Sequence, residues 1–180
     1  MHVAITGHSK GIGAAIAHSF FATGNKVLGF SRSNGYDIST DEGIERIVDE
    51  SKYADVFINN AYSGNSQTIL LDKMFNLWYN NGVKTIVNIN SRTKYGIGEK
   101  HAYYHDKKEF ADRGLQYLHT PRQCRIINLY PGYIDTDMIA DIDPRPESIM
   151  SIQEFTDIAV WAIKQPQHIE VGDLGVWCKR

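Results

Sequence analysis

The sequence predicts an α/β fold: one doubly wound parallel sheet with helices on both faces, in a single domain over residues 1–180. Three observations predict it. Short apolar runs alternate with longer stretches of helical periodicity from one end of the chain to the other. The runs are continuously apolar rather than alternating, which is how strands read when both faces of a parallel sheet are covered. Between the first run and the first helical stretch, ITGHSKGIGAAIA places Gly7, Gly11 and Gly13 where a Cβ would obstruct close backbone approach.

In chain order, HVAITG is a first strand and GAAIAHSFFATGN a helix that ends at Gly24 and Asn25. KVLGFSR is a second strand, and DEGIERIVDES an amphipathic helix with Ile44, Ile47 and Val48 on one side. ADVFINNA, KTIVNINS, CRIINLYPG and VGDLGVWC continue as strands. Between them SQTILLDKMFNLWYNN, AYYHDKKEFADRGLQYL and SIQEFTDIAVWAIKQ read as helices. Strand and helix in strict succession imply right-handed crossovers and hence a Rossmann-type sheet. No linker, repeat or low-complexity segment divides the chain, and DPRPES at 143–148 reads as a loop.

Composition narrows the function classes. With 42% hydrophobic residues in 180, the chain can bury a core of its own. A net charge of -2 without a long Lys/Arg run argues against a nucleic-acid partner. No apolar stretch is long enough to span a bilayer and the N-terminus has no signal-peptide pattern, so no membrane partner and a cytoplasmic location are expected. Cys124 and Cys178 lack paired spacing and read as free thiols of a reducing compartment. His101 and His105 are four apart but belong to no H-E-x-x-H pattern with a third ligand, so no metal site is expected.

In a doubly wound sheet the turn after the first strand lies at the carboxyl edge, where the free N–H groups of the next helix point outward. That favours a phosphate anion. The pattern Thr6-Gly7-x-x-x-Gly11-x-Gly13 resembles the T-G-x-x-x-G-x-G of the short-chain dehydrogenase/reductase family. The resemblance extends over nearly the whole chain. NNA at 59–61 is similar to the family's N-N-A-G, with Tyr62 in place of the final glycine. Ser91 in INSR resembles the serine at a strand end, AYYHDKK contains Y-x-x-x-K, and PGYIDTDM is similar to P-G-x-x-x-T-x-M.

The resemblance implies an NADP(H)-dependent oxidoreductase that transfers hydride between nicotinamide and a small carbonyl or alcohol substrate. Ser91, Tyr103 and Lys107 would be catalytic, with Ser91 donating to the substrate oxygen and Lys107 also holding the nicotinamide ribose. A lysine one helical turn from a tyrosine shares its face, and a cation about 4 Å from a phenolate is worth roughly 4 kcal/mol at an effective dielectric of 20, about three pKa units. The dyad occurs twice in overlap. Ala102 and Phe110 favour Tyr103 with Lys107, while the distance from Ser91 favours Tyr104 with Lys108. The family's active-site asparagine would fall at Asn65, but NNA and Ser91 are close together for the family, as if a helix were missing.

The same resemblance places the cofactor against Gly7, Ser9, Lys10, Gly11, Ile12 and Gly13 in the turn, and against Asn59, Asn60 and Ala61 after the third strand. Asp37 would touch the adenine, and Pro131, Gly132, Ile134 and Thr136 would cover the nicotinamide end. Charge predicts NADP over NAD. Ser31 stands where NAD-binding folds carry an acid, with Arg32 beside it and Lys10 in the turn, and two cations attract a 2′-phosphate that a carboxylate would repel.

Residues 137–148, with Asp141, Asp143 and Arg145, would close a substrate pocket suited to something small or polar. The helix carrying the dyad is the surface through which relatives form homo-oligomers, though KKEFADRG is charged for such an interface. The competing reading is a non-catalytic NADP-binding or sensor protein, which would need the glycines and the basic pair but not Ser, Tyr and Lys together.

Overall fold

The computed structural model describes residues 1–95, 102–142 and 146–179. His101, Asp143 and Arg145, singled out above, lie outside them. Six strands form one sheet: β1 (His2–Thr6), β2 (Lys26–Phe30), β3 (Val56–Asn59), β4 (Thr85–Ile89), β5 (Arg125–Pro131) and β6 (Asp173–Val176). Their spatial order is β2-β1-β3-β4-β5-β6 and every pairing is parallel. Five α-helices connect them: α1 (Gly11–Ala22), α2 (Asp41–Ser51), α3 (Ser66–Trp78), α4 (Ala102–His119) and α5 (Ile152–Ile163).

The period-two pleat sorts strand residues between two cores. Val3, Ile5, Val56, Ile58, Val87, Ile89, Ile127 and Leu129 face one side, where Ile16 and Phe20 of α1 and Phe155, Ala159 and Ile163 of α5 pack on them. Ala4, Phe57, Ile86 and Ile126 face the other, under Ile44 and Ile47 of α2, Leu70, Leu71 and Met74 of α3 and Phe110 of α4. Strands apolar on both faces therefore lie between two helical layers, as their sequence pattern requires. The interval between NNA and Ser91 holds one helix, α3.

Local chemistry sets the helix starts. Thr40 caps α2 by accepting from the Gly43 N–H at 3.0 Å. Ser151 and Glu154 form a reciprocal capping box on α5. By contrast α1 has Lys10 at its N-cap with no side-chain cap and no acid in its first turn. Its first N–H groups are thereby left for something other than the protein to satisfy.

The strand order reverses beside β1, which has β2 on one side and β3 on the other. The carboxyl ends of β1 and β3 part there, and such a switch point opens a crevice. Asn60 ties its two edges together: its backbone N–H and that of Ala61 donate to Thr6 Oγ1, both at 3.0 Å, and its side chain donates to the Thr6 carbonyl at 3.0 Å.

Candidate active site and nucleotide cleft

The crevice is two adjoining hollows of about 760 and 410 Å³ that share Gly7, Lys10, Ala61 and Tyr62. The glycine turn forms their common floor. Gly7 and Gly11 both have positive φ, +72° and +58°, which side-chain-bearing residues rarely adopt. A Cβ on Gly11 would meet nothing nearer than Thr136 Cγ2 at 3.8 Å, so that glycine keeps the main chain open toward the larger hollow. Gly13 serves differently. A Cβ there would lie 2.2 Å from the Gly7 carbonyl oxygen and 2.5 Å from Asn60 Nδ2, so Gly13 lets α1 pack on the turn and does not itself line either hollow.

The smaller hollow is lined by Ser9, Lys10, Ser31, Arg32, Ser33 and Asp37. A 3-10 turn over Arg32–Asn34 fixes the end of β2, with the Ser31 N–H donating to Asn34 Oδ1 at 2.8 Å and the Ser31 and Ser33 hydroxyls 2.7 Å apart. The Asp37 carboxylate accepts from the Ser39 N–H at 2.9 Å and its hydroxyl at 2.7 Å, and these bonds hold it below the usual carboxylate range. Neither Lys10 nor Arg32 forms an ion pair among the described residues. Exposed cations, a glycine cradle and an uncapped helix start suit a phosphorylated dinucleotide in shape and charge.

The larger hollow is lined by Ile12, Asn60, Asn90, Tyr103, Lys107 and Thr136, with Asp137, Met138 and Ala140 at its far wall. Tyr103 and Lys107, one turn apart on α4, both face into it. The Ser91 hydroxyl, which accepts from the Thr93 N–H at 3.2 Å, lies beside the Tyr103 phenol and favours its ionised form, though Ser91 does not itself line the hollow. Ser91, Tyr103 and Lys107 are therefore brought together. Tyr104 and Lys108 are not: Tyr104 packs on the His105 ring, and Lys108 is exposed in an ion pair with Asp112 at 2.5 Å.

Lys107 is 3% exposed. Its ammonium donates to Gln67 Oε1 at 2.5 Å and to the Ile89 carbonyl at 3.3 Å. Burial pushes it down to about 7, against the pull of Asp106. The Tyr103 phenol is pushed up by burial, with the Ser91 bond opposing. Here the structure departs from expectation: the lysine does not lower the phenol. Its Nζ is 5.6 Å from the Tyr103 ring centre and is committed to stronger acceptors, the Gln67 amide and a main-chain carbonyl.

Five further residues are placed differently from the sequence expectation. Asn59 is fully buried and donates to the Gln67 carbonyl at 2.7 Å, so it braces β3 against α3 and lines neither hollow. Pro131, Gly132 and Ile134 lie behind the cleft wall: Gly132 donates to the Val176 carbonyl at 2.8 Å, and Ile134 belongs to the core. Only Thr136 of that segment's expected contacts reaches the hollow. Asn65 is exposed at the N-cap of α3, and the amide that meets the lysine belongs to Gln67. Gln67 was legible by spacing, since it shares a helical face with the buried Leu70, Leu71 and Met74.

No protein-family model matches the chain. An uncharacterized oxidoreductase of Staphylococcus saprophyticus is 21% identical over 221 residues, covering 96% of this chain and 94% of that protein. A short chain dehydrogenase of Burkholderia cenocepacia, solved in complex with NADP, superposes with a TM-score of 0.81 at 19% identity, over 97% of this chain and 86% of its own. The 3-alpha-hydroxysteroid dehydrogenase of a Pseudomonas species, solved with NADH, gives 0.78 at 17% identity, over 98% and 95%. The fold is the short-chain dehydrogenase fold that the sequence resemblance implies. No helix among the described residues is long and apolar enough to cross a membrane.

Proposed function

We propose that the chain is an NADP(H)-dependent oxidoreductase of the short-chain dehydrogenase/reductase family acting on a small carbonyl or alcohol. One observation carries the reading: Tyr103 and Lys107, with Ser91 beside the Tyr103 phenol, line a hollow that adjoins a second one lined by Lys10 and Arg32 across the shared Gly7, Lys10, Ala61 and Tyr62. A scaffold protein would need neither, and a pure nucleotide sensor only the second. Two of the solved structures with this fold hold NADP and NADH respectively, which supports a nicotinamide cofactor.

The bound cofactor would supply the hydride. The glycine turn and the start of α1 hold the pyrophosphate, and Lys10 and Arg32 neutralise a 2′-phosphate beside Ser31. At the other end Ser91 donates a hydrogen bond to the substrate oxygen. Tyr103 gives that oxygen its proton. A phenol pushed up by burial keeps its proton at neutral pH, which suits an acid and so favours carbonyl reduction. Lys107 holds the nicotinamide ribose.

The test screens aldehydes, ketones and sugar-derived carbonyls for NADPH oxidation, then compares two tyrosine variants on any substrate found. Tyr103→Phe is expected to remove nearly all turnover, at least a hundredfold, and to leave NADPH affinity within about threefold. Tyr104→Phe should cost only a few fold. Loss in Tyr104→Phe with activity retained in Tyr103→Phe would overturn the assignment of the dyad. Tight NADPH binding with no turnover on any carbonyl would favour the sensor reading.

A further inference from the structure

Lys107, which the proposed function asks to grip the ribose, borders the larger hollow yet is only 3% exposed. Its ammonium sits among three rings, 5.4 Å from the centre of Tyr62, 5.6 Å from Tyr103 and 5.7 Å from Phe110, and its hydrogen bonds go to the protein. Phe110 belongs to the core behind it. Tyr62 stands in front, as a wall of both hollows, and its ring meets that of Tyr103 edge-on with centres 4.9 Å apart. The Tyr62 hydroxyl is anchored too, donating to Asp106 Oδ2 at 2.7 Å. A phenol bonded to a carboxylate is a strong, charge-assisted fastening.

A dinucleotide laid along the shared floor of Gly7 and Lys10 runs beside this ring on its way to Lys107. We propose that Tyr62 is a gating residue for the cofactor: its ring, latched to Asp106, covers Lys107 and must swing aside before the ribose can be gripped. Asp106 positions the latch. The inference rests on the NADP reading above. It also gives a reason for a tyrosine at a position where the N-N-A-G pattern carries glycine, since glycine would leave the lysine uncovered.

The consequence is thermodynamic as well as kinetic. When only the unlatched fraction admits the cofactor, apparent affinity is lowered by that fraction. Loosening the latch should therefore tighten NADPH binding, the opposite of what losing an ordinary contact does. Lys107 does not line the smaller hollow, so a ligand confined there has no need to reach it and should respond little, although Tyr62 borders that hollow too.

The experiment titrates NADPH and adenosine 2′,5′-bisphosphate into the wild type, Tyr62→Phe and Asp106→Asn by calorimetry, with NADPH association followed by stopped-flow fluorescence. Tyr62→Phe keeps the ring and removes the latching hydroxyl. It is expected to associate with NADPH about tenfold faster and to bind it several-fold tighter, with the bisphosphate unchanged within twofold. Asp106→Asn, which weakens the bond without deleting it, should shift NADPH two- to fivefold the same way, and it decides the matter if Tyr62→Phe fails to fold. Unchanged or weakened NADPH binding in both variants, with the bisphosphate still bound, overturns the gate and leaves the NADP reading standing. Binding of neither ligand by the wild type overturns both.

Discussion

Lys107 makes a quantitative prediction about stability. Its ordinary value of 10.5 falls to about 7 in the folded protein because burial disfavours the charged form. Between those two pH values the unfolded chain holds more protons than the folded one, so stability rises with pH across that window. The cost of burying the cation is fully present below pH 7 and fades as pH climbs toward 10.5. At about 1.4 kcal/mol per pKa unit the full cost is ~5 kcal/mol, of which ~2.5 kcal/mol is relieved between pH 6 and pH 9. Lys107→Met removes the titrating group and keeps an unbranched stem. It also leaves Gln67 Oε1 without its donor, which costs roughly 1–3 kcal/mol, but equally at every pH. Urea unfolding of both proteins at pH 6, 7, 8 and 9 therefore isolates the lysine in the difference, because the histidines and other groups cancel. The wild type should gain ~2–3 kcal/mol on the variant from pH 6 to pH 9. A flat difference, or one that falls with pH, would mean that Lys107 keeps its proton throughout and that Gln67, Ile89 and Asp106 fully offset its burial.

Two other substitutions probe the nucleotide cleft. Arg32→Ala should bring the NADPH-to-NADH affinity ratio, expected to be at least tenfold in the wild type, close to unity in calorimetric titrations, a change of about 1.4 kcal/mol or more; an unchanged ratio would remove the charge argument for NADP. Gly13→Ala sets a methyl 2.2 Å from the Gly7 carbonyl oxygen, a clash of backbone against α1 that no rotamer relieves, so the variant should lose ~3 kcal/mol or more of stability in urea along with its cofactor affinity; wild-type stability would show that the turn can give way.

How much of this was legible in the sequence depends on what each feature rests on. The strands and helices follow from local patterns, and each predicted run became the element expected of it. Boundaries moved by a few residues where geometry outranked composition: α1 begins at Gly11 rather than Gly13, and β3 ends at Asn59 because Asn60 turns back to bind Thr6. The glycine turn was readable as a cradle, but the jobs within it were not, since the clash that requires glycine at position 13 comes from a carbonyl six residues earlier. Asn59 was assigned to the cofactor by its motif and is turned inward, because a buried strand end next to α3 offers its amide a main-chain carbonyl. The choice between the overlapping dyads needed the rotation of α4 about its own axis, which buries Lys107 and exposes Lys108. The depressed lysine was beyond reach: a coulombic estimate from spacing assumes a cation free to face the phenol, and only packing shows that Gln67 and Tyr62 surround it first.

The two ends of the cleft handle charge in opposite ways, and the division follows from the topology. At the β2 end, Arg32 and Lys10 stand exposed on a turn and a helix start, where water stabilises their charge and a phosphate can be exchanged for it at little desolvation cost. Those cations suit recognition, selecting a ligand by its charge. At the β4–α4 end the cation is enclosed by Gln67, Tyr62 and Tyr103, where each hydrogen bond is strengthened and each unpaired charge penalised. A group held that way is poor at attracting a ligand from solution and good at holding one reacting atom in place. The glycine floor joins these two regimes, and Tyr62, the one aromatic ring common to both hollows among the described residues, stands where the first gives way to the second.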